Sequence, residues 1–278
     1  MSSVLYVVST PIGHLDDISR RAIEVLGSVD WVAAEDTRHS QRLLDQLGIK
    51  ARLISCHDHN EAQRSDELVS RLKNGEKGAL ISDAGTPLVS DPGYRLVRAC
   101  QQADIQVVPV PGASALLSAL AVAGQPSDRF LFEGFIPAKG AARQQAIERL
   151  AGESVTTIVY EAPHRVLSFL QALAAVVDAE REITLCRELT KQFETVRRGP
   201  VAQMADWVAA DSNQQRGELV LVLSPAAQSA GWTDRDQALA HSLLAELPAS
   251  RAAKILAAHT GMKRQQVYAL LEAMAKAN

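Results

Sequence analysis

The 278-residue sequence lacks several familiar features, and each absence removes a class of function. No G-x-G-x-x-G follows an apolar run and no G-x-x-x-x-G-K-[ST] is present, which excludes the common dinucleotide and phosphate-loop sites. Cysteine is scarce: Cys56, Cys100 and Cys186 stand far apart. An odd number at wide spacing points to free thiols in a reducing compartment, not to a disulfide framework. No Cys/His set has zinc spacing, and none of Ser9, Ser82 and Ser90 sits in a G-x-S-x-G elbow. His57 and His59 read as a hydrogen-bonded loop pair rather than as metal ligands. The longest nearly apolar stretch, ALLSALAVAG at 115–124, is too short to cross a bilayer. The opening MSSVLYVVSTPIG has no basic region and reads as a first strand, not a signal peptide. A net charge of −3 gives no protein-wide positive field, so a polyanion site has to be a local patch. A cytoplasmic globular protein is expected, with no metal and no membrane segment. Its 47% hydrophobic and 22% charged residues suit a full core.

Strands and helices alternate in the first half. Apolar runs at 5–10, 31–36, 51–56, 79–83 and 105–111 predict strands, with helices between them at 38–48, 61–75 and 94–104. Gly48 and Gly75 stand where helix ends favour glycine. Continuous apolar strands alternating with amphipathic helices indicate a parallel sheet covered on both faces. From about residue 125 the texture changes. Strands are expected at 129–137, 156–163, 181–189, 193–199 and 217–225, with a helix after Arg165 and a polar hairpin loop at 210–217. The last fifty residues hold three helical stretches. Ala257, Gly261, Val267 and Leu270 have the spacing of a helix-turn-helix core. Five basic residues from 249 to 278, Arg251, Lys254, Lys263, Arg264 and Lys276, face a single Glu272. The expected class is α/β: a parallel-rich domain at 1–125, a mixed-sheet α/β domain at 126–228 and a small helical tail at 229–278.

Ligands of parallel sheets bind at the carboxyl ends of the strands. Four such ends are rich in turn residues: STPIG at 9–13, AAEDTRHS at 33–40, ISDAGTPLVSDPGYR at 81–95 and PVPGASA at 109–115. They are placed to line one crevice, with Ser114 able to cap the helix after Gly112. Small residues let main-chain groups approach a ligand closely, and proline fixes the loops. The stretch 83–93 has no lysine and carries two carboxylates. It therefore suits a triphosphate less well than a cofactor with an adenine, a ribose and an amino-acid tail.

LYVVSTPIGHLDDIS, AAEDTRHS, CHDHNE, ISDAGTPLVSDPG, VVPVPGASALLSAL, YEAPHR and RELTKQFE occur in order. Together they resemble the ribosomal RNA small-subunit methyltransferase I group of the tetrapyrrole-methylase superfamily, over residues 4 to about 225. His14 stands where that group usually has Asn, and Cys56 where it usually has an aromatic residue. The resemblance implies two α/β domains, S-adenosylmethionine as cofactor and methylation of a ribose 2′-hydroxyl. The substrate it implies is a cytidine of the decoding centre in 16S ribosomal RNA, within the small ribosomal subunit. A homodimer is implied as well. By position, the cofactor would touch Pro11, Gly13, Ala84, Gly85, Thr86, Ser114 and Ala115, with Tyr160, Glu161 and Pro163 closing over it.

Methyl transfer to a hydroxyl needs alignment and help in removing a proton. Candidates are Glu35, Asp36, Glu161, Lys191 and Glu194, with Glu35 or Asp36 favoured for the proton. Lys191 and Glu194 are close enough in sequence to pair with each other. Arg38, Arg165 and Arg187 are suited to RNA phosphates, and His57 and Asn60 are expected on the same substrate side. Two alternatives stand beside this reading: a tetrapyrrole carbon methyltransferase, and a non-enzymatic RNA-binding assembly factor that uses the basic tail.

Overall fold

The computed structural model describes residues 3–57, 60–227, 232 and 234–277; His59 lies outside them, as does the side chain of Lys276. The chain divides into two compact units, 1–226 and 227–278.

The first unit holds two five-stranded sheets. The first sheet is built from β1 (Val4–Val8), β2 (Trp31–Ala34), β3 (Leu53–Ser55), β4 (Lys77–Ile81) and β5 (Gln106–Val110), in the order β3-β2-β4-β1-β5. All its pairings are parallel. Between the strands run α1 (Arg20–Leu26), α2 (Thr37–Gln46), α3 (Glu61–Lys73) and α4 (Tyr94–Gln102), and α5 (Ala115–Val122) follows β5. One core, around Leu5, Trp31, Leu80 and Leu96, covers one face. A second, around Val8, Val32, Leu44 and Ile81, covers the other. Burial on both faces is why these strands read as unbroken apolar runs. Gly48 and Gly75 end α2 and α3 with φ of 69° and 92°, which their lack of a side chain permits.

The second sheet comprises β6 (Phe130–Phe135), β7 (Thr156–Glu161), β8 (Glu182–Arg187), β9 (Thr195–Pro200) and β10 (Leu219–Leu223), in the order β6-β7-β10-β8-β9. Only β6 and β7 pair in parallel, so the sheet is mixed. Helices α6 (Gly140–Gly152), α7 (Val166–Ala174) and α8 (Val201–Ala210) bury one face. The other face packs through Ile158, Cys186, Val220 and Val222 against Ile12, Leu116 and Ala119 of the first half.

The expected hairpin loop at 210–217 is not one. Val201, Met204, Ala205 and Val208 form a buried helical stripe. The chain then turns through a short 3-10 segment, Ser212–Gln215, into β10, whose neighbours are β7 and β8.

The second unit contains α9 (Asp234–Glu246), α10 (Ala249–Thr260) and α11 (Arg264–Ala277). Gly261 ends α10 in the left-handed region. The core takes Val267 and Leu271, both fully buried, rather than Leu270. Val267 shares a helix face with positions three and four residues on, so spacing admits either leucine; Leu270 is only half-buried and stands outside that core.

Candidate active site

The four turn-rich loops are one hydrogen-bonded assembly. Thr10 and Gly85 exchange backbone hydrogen bonds of 2.8 and 3.1 Å, which joins the loops after β1 and β4. Thr86 Oγ1 donates to the Ala113 carbonyl at 3.0 Å and lies 3.0 Å from Ser9 Oγ, which adds the loop after β5. The Asp36 amide donates to Asp83 Oδ1 at 3.1 Å, which adds the loop after β2.

These loops wall a cavity of about 450 Å³, ordinary for a small-molecule site. Ile12, Glu35, Asp83, Ala84, Gly85, Thr86, Ser114 and Ala115 line it from the first half. Tyr160, Glu161, Ala162, Pro163, Cys186, Leu189 and Gly217 to Val220 line it from the second. Four non-glycine residues beside it have positive φ: Leu88 (73°) and Ser90 (65°) in the double turn, Glu188 (51°) and Thr190 (64°) opposite. Strain of this kind gathers at ligand clamps. Burial pushes the Tyr160 hydroxyl up to about 12 and the Cys186 thiol up to about 12. Both stay neutral at physiological pH, so Cys186 is an apolar wall and not a nucleophile.

The structure sorts the expected site residues. Of the ten expected cofactor contacts, Ala84, Gly85, Thr86, Ser114, Ala115, Tyr160, Glu161 and Pro163 line the cavity, while Pro11 and Gly13 do not. Gly13 backs the opposite loop instead: a Cβ there would lie 2.5 Å from Lys191 Cγ and 3.0 Å from the Leu189 carbonyl oxygen. Ser114 occupies the N-cap position of α5, but its side chain makes no capping bond.

Glu35 lines the cavity. Asp36 does not; it caps α2, accepting from the amides of Arg38 at 2.8 Å and His39 at 3.3 Å. Those amides hold its carboxyl below the usual value, which makes it a poor base. Lys191 does not pair with Glu194, whose carboxylate accepts from the Thr190 amide at 2.6 Å. It bridges Glu188 at 3.0 Å and Glu218 at 2.9 Å. Burial works against its charge, but the two carboxylates outweigh burial and raise its pKa. Lys191 is therefore a fixed cation, not a base.

The Glu161 carboxylate is fully buried and bound to Arg165 at 2.6 Å, with Arg143 4.0 Å away. It holds the turn in place and is not available as a base, and Arg165 is committed to it. Arg187 is turned inward, donating to Gln214 and to the Phe193 carbonyl at 3.1 Å each, so it offers no free phosphate contact. Arg38 is 91% exposed and borders a surface groove with Thr37, Gln41 and Arg42. Asn60 receives the His57 amide at 2.9 Å and donates to the Ser55 carbonyl at 3.3 Å, closing its own loop.

The residue of CHDHNE that reaches the site's framework is Glu61. Its buried Oε1 accepts from the amides of Gly93, Arg95 and Leu96 at 3.1, 2.7 and 3.3 Å. It thereby anchors the double turn where α4 begins. Its place directly before an amphipathic run reads as an ordinary first-turn acid, so spacing alone does not reveal it. Asp83 and Glu218 were also missed as named site residues.

Among the described residues no group of three His, Cys, Asp or Glu side chains could hold a metal, and no helix is long and apolar enough to cross a membrane. The cavity suits S-adenosylmethionine. The carboxylates of Glu35, Asp83, Asp91 and Glu218 belong to lining residues, a match for a sulfonium and an ammonium. Leu189, Leu219, Val220 and Cys186 give apolar wall for an adenine.

A parallel sheet facing a mixed sheet, with a small-residue cleft between them, defines a two-sheet α/β class with a small-molecule site. Residues 4–205 match the family described as Tetrapyrrole (Corrin/Porphyrin) Methylases, and residues 230–275 match that described as the RsmI C-terminal HTH domain. The chain belongs to the tetrapyrrole methylase family and is an S-adenosylmethionine-dependent methyltransferase. It is 50% identical over 276 residues to Ribosomal RNA small subunit methyltransferase I of Pseudomonas aeruginosa, covering 96% of each chain. It is 47% identical to the protein of that name from Escherichia coli O157:H7, covering 95% of this chain and 93% of the other. Among solved structures, the methyltransferase CobJ is similar with a TM-score of 0.60 at 17% identity, covering 82% of this chain and 95% of that one. Uroporphyrin-III-C-methyltransferase from Thermus thermophilus is similar with a TM-score of 0.57 at 19% identity, covering 80% and 94%. These two likenesses concern the fold.

Proposed function

We propose that the protein methylates the 2′-hydroxyl of a cytidine in the decoding centre of 16S ribosomal RNA, acting on the small ribosomal subunit in the cytoplasm. The observation that carries the reading is the cavity itself: four bonded loops of one sheet face the Tyr160 to Pro163 turn of the other, beside relatives named for small-subunit ribosomal RNA. We read residues 1–125 and 126–228 as two lobes that grip the cofactor and residues 229–278 as an RNA-contacting tail.

The main chain of Ala84, Gly85 and Thr86 and the start of α5 at Ser114 and Ala115 would hold the amino-acid end. The Leu189, Leu219 and Val220 wall would hold the adenine. S-adenosylmethionine, when bound, supplies an electrophilic methyl carbon whose sulfur leaves as a neutral thioether. Because that leaving group needs no acid, the chain's tasks are to align the hydroxyl and to take its proton. Glu35 takes the proton: of the five candidates only Glu35 and Glu161 line the cavity, and the Glu161 carboxylate is bound to Arg165. Lys191, held positive by Glu188 and Glu218 at the cavity's edge, stabilises charge developing on the sugar oxygen. Arg38 at the start of α2 contacts an RNA phosphate. A homodimer fits the exposed apolar side chains of Leu117, Val122, Phe193 and Val196.

The test is incubation of the purified protein with labelled S-adenosylmethionine and either small subunits or uroporphyrinogen. Label is expected in 16S RNA alone, at a ribose. Label in the tetrapyrrole, or in neither, overturns the reading.

A further inference from the structure

β6 carries a register break. Phe132 lies opposite Ile158, yet Gly134 lies opposite Val159 and Phe135 opposite Tyr160, so Glu133 is the extra residue. Side chains alternate across a sheet, and a one-residue slip moves those beyond it to the other face. In regular register Phe135 would point with Ile136's neighbours, away from the Phe132 face. The bulge returns it to the face of Phe132 and Tyr160, toward the cavity.

Gly134 makes the bulge possible with φ of 70°, and a Cβ there would lie 3.2 Å from Ser90 Oγ of the double turn. Phe132 and Phe135 both pack edge-on against Tyr160, with ring centroids 4.9 and 5.5 Å away. Half-buried Phe132 shares a core cluster with Tyr160, and Tyr160 in turn sets the angle of the exposed Phe135 ring.

Phe135 lines the cavity and is still 57% exposed. A core does not need an aromatic ring aimed by a bulge and left mostly bare. A bare, oriented ring suits an enzyme that works on single-stranded RNA, whose splayed-out bases stack on aromatic side chains. Base–aromatic stacking serves any base and tolerates a wet edge. The proposed adenine wall of Leu189, Leu219 and Val220 is buried, whereas Phe135 is exposed.

We propose that Phe135 is the stacking platform for a nucleobase of the RNA substrate, the target base or its immediate neighbour. The inference rests on the ribose-methylation reading above and assigns the substrate side of that site.

The test compares wild type with Phe135→Ala, Phe135→Leu and Phe135→Tyr. Steady-state methylation of small subunits gives KM and kcat, calorimetry gives the Kd for S-adenosylmethionine, and gel filtration gives the oligomeric state. Phe135→Ala and Phe135→Leu are expected to raise the KM for subunits about tenfold, and Phe135→Tyr to stay within twofold. All should bind S-adenosylmethionine within twofold of wild type, elute alike and melt alike, since the ring is exposed. An unchanged KM in Phe135→Ala overturns the proposal, as does Phe135→Leu matching Phe135→Tyr. A loss confined to S-adenosylmethionine binding would make the ring a cofactor wall, and a shift in elution would make it a subunit contact. Either result overturns it. If wild type itself leaves subunits unmethylated, the ribose-methylation reading falls first; if wild type methylates them and Phe135 is irrelevant, only this inference falls.

Discussion

Glu61 offers the sharpest test of how the cavity is held. Its Oε1 accepts three main-chain amides at the start of α4, directly after the double turn that supplies Asp83 to Thr86 and Val89 to Asp91 to the cavity. Gly93 and Leu96 are buried, as is Glu61, so water cannot readily replace the carboxylate. Hydrogen bonds to a charged group contribute about 1.5–3 kcal/mol, and a buried donor left without a partner costs about 1–3 kcal/mol. The three bonds share one oxygen and are not additive, so Glu61→Ala is expected to cost about 3 kcal/mol. For a unit of this size that lowers the melting temperature by about 6–12 °C. Glu61→Gln keeps an acceptor oxygen and loses only the charge assistance and the favourable helix-dipole term, about 1 kcal/mol. Because the double turn is what loosens, S-adenosylmethionine affinity falls with stability. Thermal melts and calorimetric titrations of both variants measure this. A Glu61→Ala protein that melts within about 1 °C of wild type and binds the cofactor equally well refutes the reasoning, whatever its activity.

Gly13→Ala places a methyl against Lys191 Cγ and the Leu189 carbonyl; kcat is expected to fall roughly tenfold to a hundredfold by displacement of that loop, with cofactor Kd little changed in calorimetry. The Lys191 contribution to stability has a defined pH window. Burial raises the Glu188 pKa less than the Glu218 amide and Lys191 lower it, so this carboxylate's contribution is present above 4.5 and lost as pH falls through its depressed value. The Lys191 contribution is present below 10.5 and lost as pH rises through its raised value. The melting-temperature gap between wild type and Lys191→Met should therefore hold from about pH 5.5 to 9.5 and close only as pH falls below about 4.5 or rises above about 10.5; a gap that changes near neutrality contradicts the assignment. In the helical unit, Leu271→Ala should cost about 2–4 kcal/mol and Leu270→Ala under about 1, read as hydrogen-exchange protection across residues 234–277.

Much of the fold is legible because burial leaves marks in the sequence. Strands covered on both faces are unbroken apolar runs, and their carboxyl-end loops concentrate Gly, Pro and Asp, so the four cavity loops could be found as a set. The helix at Val201–Ala210 carries no capping side chain at its start, where Pro200 holds the N-cap position, and so lacks the usual helix-start signal. The Leu270 register failed by one residue, since two adjacent leucines fit the spacing equally and only packing chooses. Residue roles were less legible than positions. Asp36, Arg187 and Glu161 have the chemistry of a base or a phosphate clamp, but helix capping and buried pairing commit them elsewhere. Lys191 lies within reach of three carboxylates in sequence or space, and the turn geometry at Glu188 and Thr190 selects Glu188 and Glu218. Glu61 is placed by a long-range cap and Phe135 by a bulge, and neither has a local signature.

The most direct measurement of the central claim is mass spectrometry of 16S ribosomal RNA from cells lacking this protein, set against cells that have it. The account predicts that one ribose methyl vanishes from a decoding-centre cytidine and returns when the wild-type chain is restored. An unchanged set of ribose methyl groups would contradict it.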